Sequence, residues 1–346
     1  MKYNVEFLAH LSQTVDLYVI IEKGKKPQTL MQTTAHVALI DSRYTILRII
    51  KTFLHLTNAR IYGYKKVYVH YSFIAAFLAT LIPGSVVYYW NCGMPWEYKR
   101  PVFQEMYERL VYKRIDHLVT GAHVLINQYA EYYKFNASKV VIVPNWIDVP
   151  LFAKKYHEAD RNSVRAQLNI LPESKVLFFV QRLSERKGAH YLPQIMEAML
   201  EDVVLIVTGD GPYEATLIKE IQERRLENKF RMLGRVVNER MPDLFKASDI
   251  FILPSEEEGM AHALLESMSA GIATVAFDVG GTIDMFPAPF SRYVAPAKNI
   301  AVFINHILFL LSNENERNIL GRALFEGVSA YDLPRVLQAF KERIID

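Results

Sequence analysis

The chain has 346 residues, of which 51% are hydrophobic and 22% charged, and a single cysteine, Cys92. This composition excludes a disordered polar chain and a collagen-like fibre, and one thiol excludes an internally disulfide-stapled secreted scaffold. The length suits two domains of ordinary size.

A net charge of +3 hides an asymmetry: residues 1–150 carry 17 Lys and Arg against 10 Asp and Glu, a balance of +7, and the remainder balances at −4. A basic first half suits an anionic neighbour, whether membrane surface, phosphorylated acceptor or nucleic acid, or it is simply solvated surface.

In chain order, Lys2, Asn4 and Glu6 rule against a signal peptide, and a helix-like stretch 5–11 leads at once into a strand over 15–21. Lysines cluster at Lys23, Lys25 and Lys26 and again at Lys65 and Lys66. Strands are expected over 66–69, 86–90, 117–120 and 140–143, with a helix over 103–114. The most apolar run, 73–89, is interrupted by Pro83-Gly84 and reads as a buried helix followed by a strand, so no membrane-spanning helix is expected. Trp96-Glu97-Tyr98-Lys99-Arg100 leads into the 103–114 helix. Its aromatic and basic side chains suit either an anionic lipid interface or packing in a cleft.

Pro144 and Pro150 bar a continuous helix or central strand and mark a seam. Residues 152–161 read as linker and lead-in. Beyond it, strands over 176–180, 203–207, 230–233, 250–253 and 274–277 alternate with helices over 192–199 and 213–227. A last helix spans 333–345, with Asp332 and Pro334 at its start. Two such series predict an α/β protein of two doubly wound parallel-sheet domains.

Four turns after second-half strands carry chemistry. Glu258-Gly259 follows 250–253, and Glu266 stands two turns into the next helix. The two carboxylates could share a face and span a ligand, with Gly259 allowing close backbone approach, or the acidic loop could merely cap the helix. Arg182 and Lys187-Gly188 follow 176–180, and a guanidinium fork with a mobile ammonium suits a diphosphate. Gly209-Asp210-Gly211-Pro212 and Gly280-Gly281 close tight turns after two further strands. Each turn alone is ordinary, but all would crowd one sheet edge, where open α/β sheets bind ligands.

In order and spacing these segments resemble the retaining GT-B glycosyltransferases of group 1, or family 4, over about residues 140–345. The resemblance runs through Arg182, Lys187-Gly188, Gly209 to Pro212, Leu233-Gly234-Arg235-Val236, Ala247-Ser248-Asp249, Pro254-Ser255, Glu258 to Glu266 and Gly280-Gly281. It implies two Rossmann-like domains facing a cleft, 1–150 on the acceptor side and 151–330 on the donor side, with 331–346 crossing back to the first.

It also implies roles. Arg182 and Lys187 would hold the donor diphosphate, Glu258 would contact the donor sugar, and Glu266 would bind ribose hydroxyls. Gly209, Asp210, Gly234, Arg235, Val236, Gly259, Met260 and Ala261 would line the donor site. On the acceptor side His70 matches a strand-end histidine of the family, and Pro144-Asn145-Trp146-Ile147-Asp148 matches its seam with Trp146 in place of glycine. Asn91 stands where the family commonly has a catalytic histidine. It can hydrogen-bond a hydroxyl but cannot act as a general base. The family's opening strand and glycine-rich loop have no counterpart at the start of the chain.

The implied reaction moves a sugar from a nucleotide diphosphate sugar to a glycan, polysaccharide or lipid-linked acceptor, in the cytoplasm or at the inner face of a membrane. It takes no metal or cofactor, since cationic side chains take that part. The sequence shows no Asp-x-Asp triplet, no zinc spacing and no nucleic-acid module. Two other expectations stay open. One is a non-catalytic nucleotide- or sugar-binding partner of a glycosyltransferase, and the other is a phosphorylase or phosphate-sugar synthase on the same fold.

Overall fold

The structure is a computed structural model that describes residues 2–22, 27–40, 42–97 and 99–346. Lys23, Lys25, Lys26 and Tyr98 of the basic and aromatic clusters lie outside the described residues. The chain divides into two compact units, Met1–Pro144 with Leu333–Asp346, and Asn145–Asp332.

The first unit runs α1 (Lys2–Leu11), β1 (Tyr18–Ile21), α2 (Gln28–Met31), β2 (His36–Leu39), α3 (Thr45–Ile61), β3 (Lys66–His70), α4 (Phe73–Ala79) and β4 (Val86–Trp90). It continues with α5 (Val102–Arg114), β5 (His117–Thr120), α6 (Val124–Tyr133) and β6 (Val140–Ile142). Strands β3-β4-β5-β6 form a parallel sheet in chain order, and β1 pairs with β2, also parallel, in a separate ribbon.

The second unit runs α7 (Val149–Glu158), α8 (Arg161–Gln167), β7 (Lys175–Val180), α9 (Leu192–Glu197), β8 (Val203–Thr208), α10 (Glu214–Glu223), β9 (Phe230–Met232) and α11 (Met241–Ala247). Then follow β10 (Ile250–Leu253), α12 (His262–Ser269), β11 (Ala273–Asp278), β12 (Val294–Pro296), α13 (Ile300–Ser312) and α14 (Glu314–Gly327). The sheet is parallel throughout in the order β12-β11-β10-β7-β8-β9. Every residue of β8 and β10 is buried, as befits strands covered by helices on both faces. Strand order reverses between β7 and β10, so the loops leaving these two strands run to opposite sides and open a crevice between them.

The last helix, α15 (Leu333–Phe340), belongs to the first unit although it follows the second. Its Phe340 packs edge-on against Phe7 of α1 and Tyr68 of β3, at 5.2 and 5.1 Å between ring centroids. A wider π turn, Lys341–Ile345, ends it.

Several expectations need correction. Residues 152–161 are not a linker: they belong largely to α7 and the start of α8. Asp148 caps α7 by accepting from the Leu151 N–H at 2.9 Å, and Pro150 sits in its first turn, where a missing N–H costs nothing. Helices α3, α13 and α14 and strands β2 and β12 lie outside the sequence expectation. Helix α3 is rich in β-branched residues of weak helix propensity, which hides it from a periodicity reading. Among the described residues no helix is long and apolar enough to cross a membrane.

Asp249, at the mouth of β10, is a structural clamp. One oxygen accepts from Arg161 at 2.6 Å, and the other accepts from Arg165 at 3.0 Å and from the Val176 N–H at 2.8 Å. Arg165, 2% exposed, also donates to the carbonyls of Pro172, Ser174 and Ala247. Asp249→Ala leaves that guanidinium buried without its counter-charge, a loss of about 3–5 kcal/mol. In a unit of this size the expected outcome is a Tm lower by roughly 10 °C in calorimetry.

Candidate active site

The loops that leave the carboxyl ends of β7, β8, β9, β10 and β11 are joined backbone to backbone. The Gly209 N–H donates to the Gly234 carbonyl at 2.8 Å, linking the β8 and β9 loops, and the Gly281 N–H donates to the Gly259 carbonyl at 3.0 Å, linking those of β11 and β10. Between β8 and β7, a Cβ at Gly209 would lie 1.9 Å from the Gln181 carbonyl oxygen. Between β7 and β10, a Cβ at Gly188 would lie 1.9 Å from the Pro254 carbonyl oxygen. Both glycines have positive φ, so no other residue fits either requirement.

A cavity of about 680 Å³ opens at this edge of the second unit. Its wall includes Arg182, Gly209, Asp210, Arg235, Val236 and Glu266, six of the residues expected at the donor site. Arg182 and Arg235 are exposed, and among the described residues neither guanidinium has a hydrogen-bond or ion-pair partner. Asp210 is also exposed, and its backbone carbonyl accepts from the Leu183 N–H. Glu266, 6% exposed, lies in the second turn of α12 and forms part of the cavity wall. Among the described residues Thr208 Oγ1, on the same wall, is buried without a hydrogen-bond partner, which costs about 1–3 kcal/mol.

Lys187 and Glu258 do not line that cavity. They meet at the switch point between β7 and β10, where Lys187 Nζ lies 2.8 Å from Glu258 Oε1 and donates to the Glu257 carbonyl at 2.9 Å. Glu258 is nearly buried, and Gln181 Nε2 donates to the same Oε1 at 2.9 Å. Gln181 lines the cavity, so it connects the Lys187–Glu258 pair to the cavity wall. It escapes a motif reading because its partner lies 77 residues on, and its position beside Arg182 is its only sequence signal.

The Gly259–Ala261 turn is held from the seam. Asn145 donates through its backbone N–H to Met260 Sδ at 3.2 Å and through Nδ2 to the Met260 carbonyl at 2.7 Å. Ala261 then enters α12, whose first N–H groups have no partner within the helix. Among the described residues no group of three or more His, Cys, Asp or Glu is placed to hold a metal ion.

In the first unit, His70 and Asn91 stand at the carboxyl ends of β3 and β4. His70 stacks on Trp90 with centroids 4.2 Å apart and planes 9° apart, and Tyr71, with φ of 62°, meets both rings edge-on. Burial of the stacked face lowers the His70 pKa. The outer side of the ring stays open to solvent, and at pH 7 the imidazole is neutral. Asn91 is 6% exposed and its amide faces the core: Nδ2 donates to Tyr112 Oη at 3.1 Å, and Oδ1 accepts from the Gly93 N–H at 2.9 Å.

An all-parallel doubly wound unit with a cation-bearing cavity at its carboxyl edge has the arrangement in which open α/β sheets hold nucleotides and other phosphorylated ligands. Residues 160–325 of this chain match the family Glycosyl transferases group 1. It is 26% identical over 215 residues to the Escherichia coli UDP-Gal:alpha-D-GlcNAc-diphosphoundecaprenol alpha-1,3-galactosyltransferase, covering 60% of this chain and 54% of that protein. It is 24% identical to the Bacillus anthracis N-acetyl-alpha-D-glucosaminyl L-malate synthase, covering 62% and 55%. The chain thus spans about half the length of these curated relatives. The fold is that of the GT-B glycosyltransferases: Anabaena HepE, solved in complex with UDP, superposes with a TM-score of 0.80 at 17% identity, over 98% of this chain and 94% of that one.

Two outcomes are expected. Gly209→Ala forces the β7 and β8 loops apart, which should lower Tm and speed amide hydrogen exchange in both loops while the β8 strand stays protected. For His70 the sign is that of a base whose folded pKa lies below its unfolded 6.5. Its contribution is full above that value and falls as pH drops below it, so a His70→Gln variant should lose less stability than wild type on acidification below pH 6.5. An NMR titration of the ring with a midpoint at or above the ordinary value would contradict this.

Proposed function

We propose that this chain transfers a sugar from a nucleotide diphosphate sugar to a saccharide or lipid-linked acceptor, with retention at the anomeric carbon and without a metal. The observation that carries the reading is the pair of guanidinium groups, Arg182 and Arg235, without a partner among the described residues and on the same cavity wall as Glu266, within the segment that matches group 1. On this reading the diphosphate lies against Arg182, whose fork suits two phosphate oxygens and stabilises the charge that develops on the leaving group. Lys187 joins it by exchanging part of its contact with Glu258 for a phosphate oxygen. These fixed cations take the part a divalent ion plays elsewhere. Glu266 accepts from the ribose hydroxyls, and Thr208 offers the site an unused hydroxyl. Glu258, held by Gln181 and Lys187, faces the sugar.

The E. coli relative is named for a UDP-sugar donor and a lipid diphosphate acceptor, and HepE was solved with UDP, which makes UDP the first donor base to test. A cytoplasmic site at the inner face of a membrane fits such an acceptor, and the buried thiol of Cys92 suits a reducing compartment. A second reading, a nucleotide-binding partner without turnover, draws on Asn91. Its amide is spent inside the first unit, where an imidazole base would otherwise be expected.

The test is thermal stability with UDP, GDP, dTDP and ADP, followed by release of nucleoside diphosphate from the matching sugar donors. A ligand at a hundred times its Kd stabilises by about 2.7 kcal/mol. One diphosphate should raise Tm by several degrees in wild type and not in Glu266→Ala. Arg182→Ala should cost about 10²–10³ in kcat, the scale for removing one charge-stabilising donor. Chelator should leave turnover unchanged, and proton NMR of the product should show the donor's anomeric configuration. Nucleotide binding without any donor turnover would favour the second reading.

A further inference from the structure

Helix α3 is apolar on two opposite sides. Toward the unit it buries Thr52 and Leu56, with Thr52 Oγ1 donating to Glu22 at 3.2 Å. Toward water it presents Ile46, Ile50 and Leu54 at i, i+4 and i+8, with exposures of 76%, 50% and 55%, and Ile61 continues the stripe two turns on at 75%. A single exposed aliphatic is unremarkable, but one stripe of four on a 17-residue helix is a built surface.

Its charges share one sign. Thr45–Ile61 contains Arg48, Lys51 and Arg60 and no acidic residue, and Arg43 stands just before it. A second stripe lies on α5, the other neighbour of α4: Phe103, Met106 and Leu110 at 76%, 66% and 43% exposure, followed one turn later by exposed Lys113. The aromatic-basic segment that the sequence offers for a lipid interface lies elsewhere. Arg100 turns inward to pair with Glu108 and to donate to Tyr132 and Tyr133, and Trp96 packs edge-on against Tyr129.

From this we propose that the solvent face of α3, together with that of α5, rests on a bilayer containing anionic lipid. Ile46, Ile50 and Leu54 enter the acyl boundary, and Arg43 and Arg48 meet lipid phosphates, while Arg60 donates to the Pro83 carbonyl at 3.2 Å. The occupant follows from charge: a partner protein with an apolar core and an acidic rim would ask for cations placed against particular carboxylates, whereas an unbroken cationic helix needs only a surface of negative sign. At 17 residues with three cations, α3 lies on such a surface and does not span it. The inference stands apart from sugar transfer, because vesicle binding is read without turnover.

The experiment is flotation of the full chain with vesicles of phosphatidylcholine alone and of an equimolar mixture with phosphatidylglycerol, at low and high salt. Wild type should float with the mixed vesicles only, less so at high salt. Ile46→Ser/Ile50→Ser/Leu54→Ser should stay in solution, while Leu171→Ser, an exposed leucine of the second unit, should float like wild type. Arg43→Gln/Arg48→Gln should weaken binding roughly fivefold per cation. All variants alter exposed or half-exposed positions, and an unchanged Tm confirms their fold. Equal flotation of the triple variant and wild type would overturn the proposal. So would a wild type that ignores both vesicles and forms a dimer by light scattering that the triple variant loses, since the stripe would then join two copies.

Discussion

The arrangement of the second unit depends on one constraint: successive strand-end loops touch through their backbones. Gly188 against Pro254 and Gly209 against Gln181 leave no room for a Cβ, and the Gly209–Gly234 and Gly281–Gly259 hydrogen bonds extend the contact across five strands. Loops joined this way cannot drift independently. Residues separated by many tens of positions in the chain are therefore delivered to one edge with fixed spacing, which a preorganised site requires. Asn145 adds the same restraint from the seam by holding the turn at Met260.

Charge is distributed unevenly over that edge. At the switch point Lys187 is already engaged by Glu258 and a carbonyl, and Gln181 fixes the same carboxylate oxygen. Across the cavity, Arg182 and Arg235 stand without partners among the described residues. The two sets do different work. An anion bound at the unpartnered guanidinium groups would displace no existing contact. The engaged ammonium holds the acidic loop in place until an anion competes for it.

The first unit is organised around aromatic packing instead. Tyr112, Tyr129 and Tyr133 are buried together, with the Tyr112 and Tyr133 rings 4.0 Å apart, and burial raises the pKa of Tyr112 and Tyr129. Their hydroxyls need partners in that environment, and Asn91, the Gly93 carbonyl and Glu108 supply them. Arg100 is drawn inward by the same demand. Apolar surface that this core does not use remains outside, on α3 and α5.

Much of the second unit was legible in the sequence. Apolar β-branched runs of strand length, each followed by a glycine turn, mark parallel strands and their carboxyl-end loops. The spacing of Arg182, Lys187, Gly209 and Glu258 places them on those loops and Glu266 on the helix that follows. Such features are local, and steric limits and hydrophobic periodicity act within a few residues. Only the tertiary structure decided that Lys187 meets Glu258, that Gln181 joins them, that Asp249 clamps two arginines and that Asn91 is committed to a tyrosine core. It also decided that α3 turns isoleucines to water. Each of these depends on which strand lies beside which, and sheet order joins segments some 70 to 90 residues apart in the second unit. No pattern along the chain encodes that distance, because pairing is settled by the packing of whole elements around a common core.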